Sequence, residues 1–135
     1  MYSIDHLGIA VKSLAAAKKF YEQLGMKVLP EEEVAQEKVR VAMVPVGESS
    51  IELLEPTTEE STIAKFLAKR GEGLHHVSLA VDDLDSTVER LKSQGVRLIN
   101  DQIQIGAGGH MYVFVHPSST GGVLVELCED QPKGV

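Results

Sequence analysis

The chain has 135 residues, of which 43% are hydrophobic and 24% charged, a balance typical of one globular domain with an ordinary core. A formal net charge of −7 disfavours nucleic acids and anionic membranes as partners, and no apolar run reaches the length of about 18 residues that a membrane-spanning helix needs. We therefore expect a single domain over residues 1–135 that lies in the cytoplasm, where the lone Cys128 stays reduced.

The first predicted element is a strand, because large and small apolar side chains alternate along residues 7–11 (LGIAV). Ser13 can cap a helix over about 14–24, which carries a stripe of apolar side chains at helical spacing and ends at Gly25. Three strand-like stretches follow, at about 26–30, 38–46 and 49–55.

A linker of about residues 57–73 follows this first group of elements. Ser61 is a possible cap for a short helix within it, and Gly71 and Gly73 can end that helix. The linker therefore predicts a third helix between two larger groups of elements.

The second group begins with another alternating run, at residues 77–81 (VSLAV). Asp83 can cap a helix over about 84–94, and Gly95 stands where a left-handed C-terminal residue is needed. Strand-like stretches follow at about 96–100, 110–115 and 122–128.

The two groups are copies of one pattern. A shift of 70 residues places the following pairs in register without a gap: His6 and His76, Ala10 and Ala80, Val11 and Val81, Leu14 and Leu84, Gly25 and Gly95. Such self-similarity indicates two structural repeats. We predict the α+β class, with one βαβββ module over about 3–56 and a second over about 74–130.

One face of each first strand carries a histidine beside small side chains. Because alternate side chains of a strand point to opposite faces, His6 lies on the same face as Gly8, and His76 lies on the same face as Ser78. The larger aliphatic side chains point to the other face and should pack on the helices. This pattern predicts a cavity beside each histidine.

The last strand of each module carries a carboxylate among apolar neighbours. Glu52 follows His6 by 46 residues, and Glu126 follows His76 by 50 residues. A buried carboxylate without a partner is costly, so it normally becomes neutral, pairs or binds a metal. If the modules pack as pseudo-twofold copies, these four side chains converge and suit a borderline or hard divalent ion with open coordination positions. The alternative is that each histidine is an ordinary packed residue and each glutamate an edge charge.

Four other features have weaker functional signals. His75 points away from the face of its neighbour and should be packed or exposed, and the segment 106–110 (GAGGH) should form a mobile loop at the mouth of the site. His116 precedes a proline and should lie in a turn, and Cys128 should be a packing residue.

Several stretches resemble the vicinal oxygen chelate superfamily and, more narrowly, the methylmalonyl-CoA epimerase family: HLGIAVKSL, IELLEP, STIAKFLAKRGEGLHHVSLAVDD and HPSSTGGVLVELCE. The resemblance covers about residues 3–130. It implies that the modules form a cupped eight-stranded mixed sheet around one divalent metal ion, with Co²⁺, Mn²⁺, Zn²⁺ and Ni²⁺ as candidates. It also implies that the metal ligands are His6, Glu52, His76 and Glu126, that the substrate is an acyl-CoA and that the chain forms a homodimer.

The activity implied by this resemblance is the interconversion of (R)- and (S)-methylmalonyl-CoA by proton transfer at C2. A metal that chelates the substrate carboxylate and the thioester oxygen would stabilise the enolate as a Lewis acid, and Glu126 would act as both ligand and base. Some relatives have a further carboxylate on the middle strand of module one, but residues 39–43 (VRVAM) contain none.

Three other functions remain open on the sequence. A lactoylglutathione lyase of the glyoxalase I type would use the same metal and proton-transfer chemistry. A metal-dependent dioxygenase would need only two histidines and one carboxylate, so the fourth ligand Glu52 argues against it. A binding or resistance module would need no metal ligands.

Overall fold

The computed structural model describes residues 2–129, and within them the chain forms eight strands and three α-helices. The helices are α1 (Leu14–Gln23), α2 (Thr62–Arg70) and α3 (Leu84–Ser93). The strands are β1 (Ser3–Ala10), β2 (Glu32–Val34), β3 (Val39–Val46), β4 (Ser49–Pro56), β5 (Gly73–Ala80), β6 (Gln104–Ile105), β7 (Met111–Val115) and β8 (Val125–Glu129). None of the helices in this part of the chain combines the length and apolarity needed to cross a bilayer.

The described chain divides into two compact units, one of residues 6–75 and one of residues 2–5 with 76–129. The strand order is β2-β3-β4-β1 in the first unit and β6-β7-β8-β5 in the second. In both, the outer pairs are antiparallel and the strand that precedes the helix runs parallel to the last strand of the module. The predicted α+β class, with two βαβββ modules and mixed strand pairing, is confirmed. The assignment of residues 1–135 to one domain stays a prediction.

The helix boundaries follow the predicted caps. The Ser13 hydroxyl accepts a hydrogen bond from Ala16 N at 3.2 Å, and the Asp83 carboxylate accepts one from Ser86 N at 3.1 Å. Gly25 and Gly95 follow the two helices with φ of 86° and 81°, the left-handed conformation that glycine adopts without steric cost. The predicted helices 14–24 and 84–94 are each correct to within one residue.

The linker helix α2 also begins and ends as predicted. The Ser61 hydroxyl accepts a hydrogen bond from Ile63 N at 3.1 Å, and Gly71 ends the helix with φ of 79°. Ile63 is buried, and the helix packs against β4.

Two predicted strands are wrong in position. Residues 26–30 form no strand; Leu29 donates one hydrogen bond to Met43 O, and β2 lies further along at Glu32–Val34. Residues 96–100 make only a single bridge, between Leu98 and Val115, and β6 lies at Gln104–Ile105. A side-chain hydrogen bond replaces part of the expected backbone pairing between residues 96–100 and β7. Phe114 N of β7 donates this hydrogen bond to Asn100 Oδ1 at 2.7 Å.

Each unit has its own hydrophobic core on the helix side of its strands. The first core is built from Val11, Leu14, Ala42, Val44 and Leu53. The second is built from Val81, Leu84, Val88, Val113, Val115 and Leu127. Ile9 and Leu79 pack on these cores, so the aliphatic faces of the two alternating runs point to the helices as predicted.

A second carboxylate on each last strand contacts the start of the module's helix. Glu55 Oε1 accepts a hydrogen bond from Leu14 N at 3.0 Å, and Glu129 Oε1 accepts one from Leu84 N at 2.6 Å. These residues follow Glu52 and Glu126 by three positions and therefore point to the opposite face. Each satisfies a backbone N–H that a helix N-terminus leaves without an intrahelical partner.

We expect Glu55→Ala to lower the free energy of unfolding by about 1–2 kcal/mol, because it removes the acceptor of Leu14 N and the partner of Arg40 Nη1 at 3.0 Å. Urea unfolding measures the loss, with exposed Glu48→Ala as the control. Equal midpoints for both variants would contradict a role for Glu55 in holding α1.

Candidate functional site

The first predicted ligand pair lies in the unit of residues 6–75. The parallel register of β1 and β4 places Gly8 opposite Glu52, so His6, two residues before Gly8, shares the face of Glu52. His6 Nε2 lies 3.3 Å from Glu52 Oε1. Both residues are buried, with 1% and 8% of their surface exposed.

The second pair lies in the other unit and has the same construction. The parallel register of β5 and β8 places Ser78 opposite Glu126, and His76 precedes Ser78 by two residues. His76 Nε2 lies 3.7 Å from Glu126 Oε1, and the two residues are 4% and 6% exposed. Phe114, opposite Glu126 on β7, packs edge-on against the His76 ring with the ring centroids 5.4 Å apart.

The geometry of each pair suits a shared metal ion. Metal–ligand bonds of about 2.0–2.2 Å put neighbouring ligand atoms roughly 3–3.5 Å apart in octahedral or tetrahedral geometry. The His6–Glu52 separation of 3.3 Å lies in this range, and the His76–Glu126 separation of 3.7 Å is slightly longer. Each pair offers one imidazole nitrogen and one carboxylate oxygen, the donor types that borderline divalent ions accept. That all four side chains hold one ion stays a prediction.

The alternative of two edge charges does not fit the two glutamates. Each lies on a strand with a neighbour on both sides, β4 between β3 and β1, and β8 between β5 and β7. Both side chains are also buried, and buried carboxylates need a compensating partner.

The three weaker candidates with structural roles all have local partners. His75 packs edge-on against Phe66, with the ring centroids 5.0 Å apart. Buried Cys128 accepts a hydrogen bond from the Ser78 hydroxyl at 3.3 Å. His116 Nδ1 accepts one from Ser118 N at 3.0 Å and so caps the short 3₁₀ turn Pro117–Ser119. These contacts agree with the packing and turn roles expected for them.

The segment 106–110 contains a contact that the sequence analysis missed. Hydrogen bonds from Gly106 N to His110 O, at 2.8 Å, and from Gly109 N to Gly106 O, at 3.2 Å, close this segment into a tight turn. His110 Nε2 lies 3.8 Å from Asp5 Oδ2, and the imidazole is only 16% exposed. The two residues are 105 positions apart and neither has a counterpart in the repeat, so no sequence pattern pairs them.

Comparison with known proteins supports the resemblance. Residues 5–114 match the Glyoxalase/Bleomycin resistance protein/Dioxygenase superfamily. The mitochondrial methylmalonyl-CoA epimerase of Bos taurus is 39% identical over 92% of this chain and 72% of its own length. Among solved structures, the methylmalonyl-CoA epimerase of Mycobacterium tuberculosis superimposes with a TM-score of 0.91 at 42% identity, over 96% of this chain and 89% of the other.

A second solved structure adds a ligand to this comparison. A methylmalonyl-CoA epimerase in complex with methylmalonyl-CoA and NH₄⁺ superimposes with a TM-score of 0.90 at 38% identity, over 94% of this chain and 93% of the other. The matches in sequence and in structure each span nearly the whole chain. This chain therefore belongs to the Glyoxalase/Bleomycin resistance protein/Dioxygenase superfamily and, within it, to the methylmalonyl-CoA epimerase family.

Proposed function

We propose that the chain catalyses the interconversion of (R)- and (S)-methylmalonyl-CoA by proton transfer at C2. The observation that carries this proposal is the buried His/Glu pair that occurs once in each module, His6 with Glu52 and His76 with Glu126. Membership of the epimerase family, and the relative solved with methylmalonyl-CoA, support the choice of substrate.

The proposal includes one divalent metal ion per chain, held by His6, Glu52, His76 and Glu126. The donor set of two imidazoles and two carboxylates admits Co²⁺, Mn²⁺, Zn²⁺ or Ni²⁺. When bound, such an ion would supply Lewis-acid stabilisation of the negative charge that develops on the thioester oxygen.

Glu126 is the proton carrier in this proposal. Its carboxylate takes the C2 proton, and the electron pair of the C–H bond moves toward the thioester carbonyl oxygen to give a planar enolate. The proton then returns to C2 on the opposite face, which completes the epimerisation without net change in atoms or electrons. Glu52 acts as a ligand only, with no obligatory proton transfer.

The sequence of β3 limits where a second base can lie. Met43 of β3 is the register partner of Glu52, and no carboxylate occurs from Val39 to Val46. A single carrier that serves both faces requires the planar intermediate to turn before the proton returns. Gly8 and Ser78, the register partners of the two glutamates, are both small residues.

The assembly and location are further parts of the proposal. We infer a homodimer, supported by the family resemblance and by the exposed apolar side chains of Phe20 and Leu24 near the end of α1. The inferred cytoplasmic location is supported by Cys128, a lone thiol that cannot form an intramolecular disulfide. Light scattering of the purified chain measures the assembly, and a monomer at micromolar concentration would contradict it.

Incubation of metal-loaded protein with (S)-methylmalonyl-CoA in D₂O tests the function directly. We expect deuterium to enter C2 and the (R) form to accumulate. At every turnover the C2 proton passes to a carboxyl group that exchanges its proton with the solvent. The hemithioacetal of methylglyoxal and glutathione serves as the control substrate for the glyoxalase alternative. Absence of deuterium at C2 would reject the epimerase assignment, and turnover of the control substrate would favour the glyoxalase alternative.

A further inference from the structure

Strand β7 carries a row of aromatic contacts that ends at His76. The rings of Tyr112 and Phe114 meet edge-on, with their centroids 5.7 Å apart and their planes at 73°. Phe114 in turn meets the His76 ring with the centroids 5.4 Å apart and the planes at 89°. The chain has only three phenylalanines, three tyrosines and no tryptophan, so two aromatic rings on one strand of five residues are a local concentration. We call Tyr112 and Phe114 the β7 aromatic pair.

The turn of residues 106–110 packs on the far end of the β7 aromatic pair. A Cβ atom added at Gly106 would lie 3.0 Å from Tyr112 Cε1 and 3.3 Å from Tyr112 Cδ1, closer than most Cβ atoms approach a neighbour. Glycine therefore lets the backbone of the turn lie directly against this ring. Tyr112 is only 3% exposed, and a closely packed ring cannot shift without displacing its neighbours. Phe114 is thus packed against a ring whose position is fixed.

The strand register brings the β7 aromatic pair to the face of the second His/Glu pair. Phe114 is the register partner of Glu126, and Tyr112 is the register partner of Cys128. Residues directly opposite each other on neighbouring strands point to the same face of a sheet. Phe114 therefore lies beside Glu126 and contacts His76, so one ring borders both members of that pair.

A histidine side chain needs such a contact to fix the direction of its nitrogen atoms. The last side-chain torsion of histidine has broad energy minima, so the intrinsic rotamer does not decide where Nε2 points. An edge-on contact sets the plane of the imidazole, because the positive edge of one ring attracts the negative face of the other. The angle of 89° between His76 and Phe114 is close to the perpendicular arrangement that this attraction favours.

The first module shows that the fold does not require an aromatic ring at this position. Met43 on β3 is the register partner of Glu52, just as Phe114 on β7 is the register partner of Glu126. A methionine side chain is unbranched and flexible, and it holds its neighbours less firmly than a ring does. The two modules therefore share their strands and donor types but differ in the side chain beside the glutamate.

We propose that Phe114, held by Tyr112, is a positioning residue that fixes the orientation of the His76 imidazole for metal binding. The inference rests on the proposed function, in which His76 is a metal ligand. It adds a role for β7, a strand that supplies none of the four proposed ligands, and it makes the second His/Glu pair more rigid than the first. Rigidity matters most in the second pair, because Glu126 is the proposed proton carrier and misplaced reacting groups lower the rate steeply.

Replacement of Phe114 by the residue of module one, Phe114→Met, tests this role. Titration with Co²⁺ should give a dissociation constant at least about 10-fold weaker, as is typical when a residue that orients a metal ligand is lost. The visible absorption spectrum of bound Co²⁺ should also change, because it depends on ligand geometry. Phe114→Tyr keeps the ring and should bind Co²⁺ within about 3-fold of wild type. The matched control Met43→Leu conserves apolar volume in module one and should stay within about 2-fold.

Kinetics at saturating Co²⁺ separate positioning from a loss of stability. Phe114→Met should lower kcat for C2 exchange about 10-fold with KM nearly unchanged, because a misoriented ligand impairs the chemical step even when the ion is bound. A merely structural residue would lower the melting temperature and leave the Co²⁺ spectrum and kcat as in wild type. Circular dichroism verifies folding, and Phe114→Leu takes the place of Phe114→Met if that variant does not fold.

Unchanged Co²⁺ affinity and spectrum in Phe114→Met would overturn the inference, as would an equal loss in Met43→Leu or in Phe114→Tyr. Wild-type protein that binds no Co²⁺ would reject the metal site and the inference together. If wild type binds Co²⁺ and the variants change its affinity and spectrum as expected, but no deuterium enters C2, the proposed epimerase function fails and the positioning role of Phe114 stands.

Discussion

Glu126→Gln is expected to abolish C2 proton exchange while the fold is kept. Glutamine has the shape of glutamate and an oxygen that can still ligate, but it cannot accept the C2 proton. Loss of a general acid–base group typically lowers the rate by about 10²–10⁴-fold, and weaker ligation should add to this loss in kcat. Glu126 is buried and lies 3.7 Å from His76 Nε2, so the substitution also changes the immediate surroundings of that imidazole.

The matched control for this variant is Glu52→Gln. Glu52 occupies the equivalent register position in the other module and lies 3.3 Å from His6 Nε2. Because Glu52 is assigned no proton transfer, its amide variant should keep C2 exchange once saturating metal compensates for weaker binding. Deuterium exchange is followed for both variants, with metal content measured in parallel. Near wild-type exchange in Glu126→Gln would place the base elsewhere, and a larger loss in Glu52→Gln would move the base to module one.

His6→Ala and His76→Ala should each lose the bound metal and nearly all activity. Removal of either imidazole takes away one ligand atom of its pair and leaves the buried carboxylate without the nitrogen beside it. Elemental analysis of protein purified without chelator measures the metal. A second measure is the melting temperature, which metal should raise in wild type but not in the variants, because only a chain that binds the ion is stabilised by it.

His116→Ala is the control for the two histidine variants. Its side chain caps the turn Pro117–Ser119 and lies outside the two His/Glu pairs. We expect full metal content and near wild-type turnover for this control. Stoichiometric metal and normal turnover in His6→Ala or His76→Ala would show that the four residues do not form the metal site.

The two His/Glu pairs illustrate how much of the candidate site is encoded locally. The 70-residue shift aligns His6 with His76, and the alternation of each strand assigns both histidines to the face of a small neighbour. The parallel registers Gly8 with Glu52 and Ser78 with Glu126 then put each carboxylate beside its histidine. Repetition, rather than any single residue, made this prediction possible, since an isolated histidine in a strand is normally a packing residue.

The sequence alone also determined the helices, because their signals lie within a few residues of each end. Ser13 and Asp83 bond to N–H groups three residues away, and Gly25 and Gly95 take the left-handed conformation just past each last turn. Caps and helical spacing are local properties, so the helix boundaries could be predicted to within one residue.

Only the tertiary structure decided where the short strands β2 and β6 lie and which distant groups meet. A strand forms where a partner strand accepts its backbone hydrogen bonds, and this depends on register rather than on local hydrophobicity. The side chain of Asn100 bonds to Phe114 N in place of a ladder contact, and Asp5 meets His110 across 105 positions of the chain. Such contacts leave no periodic trace in the sequence, because each depends on where two separate segments are brought by folding.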